Sequence, residues 1–243
     1  MPGKRLVISV AAVAVLLGGA AGCGRDGSES GTTSPPTASP SQTREGSPAP
    51  ATTAPQRFQS QIKRVTAADL PHSWRRGCPV APSGLRMIEM TYWGMDDRPH
   101  TGGRLVVNAH VANDLATVFR KLFNMRYPIN RMEPVDKYKG SDFDSIEANN
   151  TSAFNCRKAT GSSSFSQHAY GLAVDINPCE NPYVSADGTV AHKDCVKFKD
   201  RDRDDPGMIH ANDRVVKAFR SIGWEWGGTW SGARDYQHFS PGG

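Results

Sequence analysis

The sequence contains no C-x-x-C pair, no G-x-S-x-G elbow and no basic stripe interleaved with aromatics. The first absence speaks against a structural zinc site built on cysteines, which uses closely spaced pairs. The second removes the signature of a serine-nucleophile hydrolase. The third speaks against nucleic acid as a partner. No internal repeat is visible, so a stacked array is not expected. Long apolar runs are also missing. The one such stretch, Leu6 to Ala21, is too short and too rich in alanine and glycine to read as a membrane span.

That stretch follows Lys4 and Arg5 and ends in Gly22 and Cys23, the pattern of a secretory signal with a small-residue cleavage site. Leu17 to Cys23 resembles a bacterial lipoprotein signal, with Ala20 where Leu is usual. The resemblance implies cleavage before Cys23, a lipid on Cys23, export, and anchoring at the extracytoplasmic face of the cell membrane. An ordinary secretory signal is the alternative. Beyond Cys23, to residue 56, the chain is mainly Ser, Thr, Pro, Gly and Ala, with few charges and no aromatic residue. Such a segment cannot bury enough surface to offset its ordering entropy, and its prolines keep it extended. The expected organisation is therefore a signal peptide over 1–22, a disordered tether over 23–56 and one folded domain over 57–243. Without Lys4, Arg5, Arg25 and Arg44, and without Asp26, Glu29 and Glu45, the domain keeps 25 basic and 21 acidic residues. It is mildly basic and is expected to be a monomer.

With Cys23 set aside, Cys78, Cys156, Cys179 and Cys195 remain. An even number in an exported chain implies disulfides, with three possible connectivities. Cys179–Cys195 closes a local loop and is favoured, which leaves Cys78–Cys156. Zinc ligation by these cysteines is the rival reading.

Leu85 to Trp93 alternates as a strand, and Arg104 to Val107 follows as a second strand after an expected Gly102-Gly103 turn. A helix is predicted over 109–125, capped by Asn108, with Val111, Leu115, Val118, Phe119 and Leu122 at helical spacing and Tyr127-Pro128 ending it. Ile129 to Val135 reads as a third strand. A second helix is predicted over 213–222, capped by Asn212 or Asp213 and closed by Gly223. The class is α+β, a small antiparallel sheet with flanking helices and long loops.

The chemistry centres on Ser164 to Asn177. Leu172 to Ile176 reads as a buried strand, yet it carries Asp175. A buried carboxylate must be paired, hydrogen-bonded or bound to a metal. His168 lies seven residues earlier in a loop rich in serine and glycine. A lone histidine is more often a satisfied surface or core residue. Here the carboxylate in the strand, and a second pair Asp235-x-x-His238, point to zinc with three protein ligands and an open fourth position. Asp235 then stands as a carboxylate beside the metal, able to act as general base. Its alternative is a partner of Arg234. His72, His100, His110, His192 and His210 show no ligand spacing and are expected to be exposed. Asp200 to Asp205 lacks the Gly and Glu of a calcium loop and reads as a solvated turn.

Ser166-x-His168-x-x-Gly171-x-Ala173-x-Asp175 with Asp235-x-x-His238 resembles the zinc D,D-carboxypeptidase family. That family includes vancomycin-resistance-type D-alanyl-D-alanine peptidases and phage L-alanyl-D-glutamate endolysins. The likeness runs from about Leu85 to Phe239 and takes in Gly223-Trp224-x-Trp226-Gly227-Gly228-x-Trp230. It implies Zn²⁺ held by His168, Asp175 and His238, with Asp235 as base. It also implies Arg157 on the substrate carbonyl and Ser166 in contact with substrate. Trp230, Trp224 and Trp226 are candidates for a substrate groove, with core packing expected for at least two. The implied activity is a zinc metallopeptidase hydrolysing peptidoglycan stem peptides, foremost as a D-alanyl-D-alanine carboxypeptidase. An L-alanyl-D-glutamate-type endopeptidase and a non-catalytic wall-peptide binding module are the alternatives. Several relatives have Glu where this chain has Asp235, and Asp occurs in the endolysin-like branch.

Overall fold

Alternating apolar residues in two consecutive segments build the main sheet of the computed structural model, which describes residues 57–242. The expected signal peptide, the expected lipidation site at Cys23 and the expected tether all lie outside the described residues. Strands β1 (Ser60–Arg64), β2 (Leu85–Gly94) and β3 (Pro99–Asn108) pair antiparallel in that order, and β4 (Pro128–Ile129) runs parallel to the end of β2. Both faces are covered. Ile88, Met90, Leu105 and Val107 pack with helix α1 (Ala112–Asn124), through Leu115, Val118, Phe119 and Leu122. Leu85 and Val106, one position out of phase, pack with Val65, Leu70, Phe154 and Cys156.

Two local expectations are corrected. The β2–β3 turn is not at Gly102-Gly103. It falls between the strands, where Asp97 takes a left-handed φ of 55°. The glycines lie inside β3, opposite a register shift between Met90 and Tyr92. Asn108 does not cap α1, which starts three residues later than expected. Its side chain instead accepts from the His110 N–H at 3.1 Å, and its own N–H donates to the Gly171 carbonyl at 2.9 Å. It ties the end of β3 to the loop that carries His168.

The predicted third strand breaks at Asn130. After β4 comes β5 (Arg131–Met132), which pairs with β6 (Asn150–Thr151). Between them lies the unforeseen short helix α2 (Asp142–Glu147), capped by Ser141 Oγ accepting from the Asp144 N–H at 3.1 Å. A second small sheet has the order β7 (Val174–Asp175), β11 (His238–Pro241), β9 (Trp224–Trp226). A two-stranded ribbon joins β8 (Tyr183–Val184) to β10 (Arg234–Asp235). Helix α3 (Arg214–Arg220) begins at Asp213, whose Oδ1 accepts from the Val216 N–H at 2.8 Å. Phe219 of α3 stacks on Phe239 of β11 with ring centres 4.0 Å apart, so α3 backs the second sheet. The class is α+β as expected, with several small sheets in place of one.

Cys78–Cys156 and Cys179–Cys195 are both disulfide-bonded, at sequence separations of 78 and 16 residues. The segment 200–205 is more than a solvated turn. Arg201 reaches inward, donates to the carbonyls of Glu180, Phe198 and Ile209, and lies over the Tyr236 ring.

Candidate active site

The second small sheet places two of the three expected ligands directly. Asp175 and His238 are cross-strand partners in the β7–β11 ladder. On its other side the Asp175 backbone pairs with Ser152, donating to its carbonyl at 2.9 Å and accepting from its N–H at 3.0 Å. His168 comes from a 3-10 turn, Gln167–Tyr170, whose start is capped by Ser166 Oγ accepting from the His168 N–H at 3.3 Å. Gly171 ends that turn with φ +67°, and a Cβ there would lie 2.6 Å from the Asn108 nitrogen. Only glycine satisfies both the left-handed backbone and the close approach.

These elements bring His168, Asp175 and His238 together, each buried, with one ligand atom apiece all within 4.8 Å of one another. His168 Nδ1 donates to the Ala153 carbonyl at 2.6 Å, a tautomer assigned from that partner. Its Nε2 then faces Asp175 Oδ2 at 3.1 Å. His238 Nε2 is 3.1 Å from Ser240 Oγ, and its Nδ1 is 3.0 Å from Asp175 Oδ1. Both rings thus have one nitrogen occupied by a neighbour and turn the other towards the carboxylate. Lone pairs facing lone pairs across about 3 Å need a cation between them, a proton or a metal. Two imidazoles and one carboxylate are a donor set that suits zinc.

The charges agree. Burial works against an ionised Asp175, but His168 and His238 outweigh it and hold this carboxyl well below the usual carboxylate range. Burial likewise works against a charged His168, and Asp175 outweighs it, so the ring is held above its ordinary value.

The trio lies in a cleft of about 700 Å³, lined also by Arg157, Ser166, Trp230, Asp235 and Gln237. That volume suits a short peptide. Among the described residues, the buried side-chain polar atoms without a hydrogen bond are Arg157 Nε, Trp230 Nε1, Asp235 Oδ1 and Gln237 Oε1. All four belong to this cleft. Orphaned buried polar groups are costly in a folded protein, and their gathering in one place marks a binding site.

Asp235 is partly exposed as a residue, yet its Oδ1 is shut off from solvent and unpartnered. Burial and the nearby Asp175 charge push its carboxyl up to about 6. The alternative pairing with Arg234 is not formed: that guanidinium points to the Gly228 carbonyl at 3.5 Å. Gly227 makes room for the motif, since a Cβ there would lie 2.6 Å from the Asp235 carbonyl oxygen and 3.3 Å from His238 Cβ.

Arg157 stands at the cleft with its Nε 2.9 Å from Asp142 Oδ1. The N–H is not aimed along that line, so the contact is electrostatic and the donor stays free. Trp230 lies against His238, ring centres 5.3 Å apart, at the cleft wall. Trp224 and Trp226 are buried in the main core, as core packing requires. His192, expected to be exposed, is instead largely enclosed. Its side chain is 11% exposed, packs on Phe143 and lines the cleft. Its partner Glu147 is 45 residues away, a distance over which sequence spacing carries no signal.

A buried His–Asp–His trio lining a peptide-sized cleft, with a carboxylate oxygen unpartnered beside it, is an arrangement able to hold a metal ion next to a base. The family model described as D-alanyl-D-alanine carboxypeptidase matches residues 160–241, which hold His168, Asp175, Asp235 and His238. This supports the family read from the motifs, over a shorter span that leaves out Arg157. No curated protein and no solved structure matches the chain.

Proposed function

We propose that the protein is a zinc-dependent peptidase that hydrolyses peptidoglycan stem peptides, foremost as a D-alanyl-D-alanine carboxypeptidase. The observation that carries this is the juxtaposition of the buried trio with the unpartnered Oδ1 of Asp235 in one cleft. His168, Asp175 and His238 would hold the ion. Zinc bound there would supply Lewis-acid polarisation of a water and of the scissile carbonyl. Asp235 accepts the proton of the attacking water and returns it to the leaving amine. Its raised carboxyl suits that exchange near neutral pH. Arg157 steadies the negative charge that grows on the carbonyl oxygen. Ser166 and Trp230 orient the peptide backbone along the cleft. An N-terminal lipid on Cys23 and the tether would place the domain at the outer face of the membrane, facing the wall.

The size of the cleft and the choice of Asp at 235 also favour a second reading, an endopeptidase of the L-alanyl-D-glutamate type. Mass spectrometry of stem peptides incubated with zinc-loaded protein separates the two. Loss of a single terminal D-alanine is the expected result; internal scission selects the second reading. Intact peptides at full zinc occupancy would defeat both.

A further inference from the structure

Of the four unpartnered polar atoms in the cleft, Gln237 Oε1 is the one with no part in the proposed reaction. Gln237 is only 3% exposed, and a buried acceptor left without a donor is costly. Its place is set by the turn between β10 and β11. Asp235 closes β10 and His238 opens β11, so Tyr236 and Gln237 join the expected base to an expected metal ligand. The backbone of this turn is pinned on several sides. The Gln237 carbonyl accepts from the Ile176 N–H, just after β7, at 3.0 Å. The Tyr236 carbonyl accepts from Trp226 Nε1 of β9 at 2.7 Å, and the Tyr236 N–H donates to the Pro182 carbonyl at 3.4 Å. An acceptor mounted on so fixed a turn is preorganised for a ligand in the cleft.

Asp235 tells the two ends of the Gln237 amide apart. Burial and the Asp175 charge raise the Asp235 carboxyl, whereas His238 and the Gln237 side chain pull it down, without satisfying Oδ1. A carboxylate only accepts hydrogen bonds, so the end of the amide turned to it is Nε2–H. Oε1, on the same carbon, is then an acceptor close to the base. It cannot take a carboxylate or a carbonyl, neither of which has a proton to offer. A peptide laid across the trio presents backbone N–H groups, and these are donors of the right kind. The scissile nitrogen is near by necessity, since Asp235 has to reach it with a proton. The amide one residue before it is the next candidate.

We infer that Gln237 is a specificity-determining residue whose Oε1 accepts a hydrogen bond from a backbone N–H of the substrate, at the scissile linkage or at the linkage before it. This rests on the peptidase reading above. The cleft then distinguishes a peptide from a depsipeptide, in which an ester oxygen replaces one N–H and leaves the Gln237 acceptor buried and unpaired.

The test uses zinc-loaded protein and three stem pentapeptides: one with every linkage an amide, one with an ester at the cleaved linkage, and one with an ester at the linkage before it. Esters are intrinsically easier to cleave, so each peptide is compared with itself between wild type and variant. Gln237→Leu removes the acceptor and should lose about tenfold in kcat/KM on the all-amide peptide. It should lose as much on one ester peptide and nothing on the other, and the indifferent ester identifies the N–H that Oε1 takes. Gln237→Met, which keeps the length of the side chain, should repeat the pattern. Zinc content should stay at one per chain in both. A loss of equal size on all three peptides would mean a structural role and would overturn the inference, as would no loss on any. Calorimetric binding to zinc-loaded Asp235→Asn protein, with and without Gln237→Leu, decides the matter where turnover is too slow or a single variant misfolds. There the all-amide peptide should bind about tenfold more tightly than one ester, and equal binding of all three would overturn the inference. If nothing is cleaved by wild type but this preference is present and is lost with Gln237→Leu, the peptidase reading falls and the N–H site stands.

Discussion

Asp235 is the residue whose role separates a peptidase from a non-catalytic wall-peptide binding module. As general base it must be ionisable, near the trio and free of a competing partner. Its Oδ1 is shut off from solvent with no hydrogen bond, and Arg234 is turned to Gly228. Asp235→Asn preserves size and removes the base. Zinc content should remain at one per chain, and peptide cleavage should fall about 10²–10⁴-fold. His168→Ala is the matched control: most of the zinc should be lost, because Nε2 goes with the ring. Metal analysis and rates on the same preparations check both, and an Asp235→Asn protein of near-normal activity at full zinc would remove Asp235 from the mechanism. Four residues of the site were legible in the sequence because their spacing is local. Asp175 stood out as a carboxylate in an apolar run, and His238 as the second member of a D-x-x-H pair. His192 was not legible, since its meaning depends on Glu147 and Phe143, both remote in the chain. Nor was the support from the 152–155 segment, where Ser152 and Ala153 hold Asp175 and His168 by main-chain atoms that carry no side-chain signature.

Elements announce themselves in proportion to their length. Helix α1 was legible from the apolar spacing of Leu115 to Leu122, and α3 from its Asp213 cap and the glycine after it. Helix α2, six residues with no apolar period, was not. The Gly102-Gly103 pair misled because glycine serves a bulge as readily as a turn. In contrast, the glycines after Trp226 have a reason the structure makes plain. Gly227 lets the turn after β9 pass beneath the Asp235 backbone, and a Cβ 2.6 Å from a carbonyl oxygen cannot be relieved by a rotamer change. Gly227→Ala is therefore expected to cost about 1–3 kcal/mol, the usual range for overpacking. It should also lower cleavage by displacing Asp235 and His238 together. Chemical denaturation and zinc affinity measure the two effects. An alanine variant with wild-type stability and zinc affinity would show that the contact relaxes freely.

For the whole molecule, the trio couples stability to pH, and stabilisation by zinc should depend on pH in the opposite direction. Asp175 is held below the usual carboxylate range, so its contribution is present above the unfolded value of about 3.9 and is lost only as pH falls through the depressed folded value. His168 is held above its ordinary value, so its contribution is complete below about 6.5 and is lost as pH rises through the raised folded value. Asp235, pushed up to about 6, adds a term of the same direction as His168, present at low pH and lost as pH rises through that value. The chelator-treated protein should therefore draw most from this cluster at about pH 4–5, and less at pH 8. Zinc takes the place of the shared proton between the rings and the carboxylate. Displacing that proton costs more at pH 5 than at pH 8. The rise in melting temperature on adding zinc should then be larger at pH 8 than at pH 5. At a free zinc concentration of about 100 times Kd the linkage is worth about 2.7 kcal/mol, which is roughly 5–10 °C for a domain of this size. Thermal melts at both pH values, with and without chelator, measure it. An equal zinc increment at pH 5 and pH 8 would mean that no proton is exchanged for the metal, and that the three side chains do not share one cation.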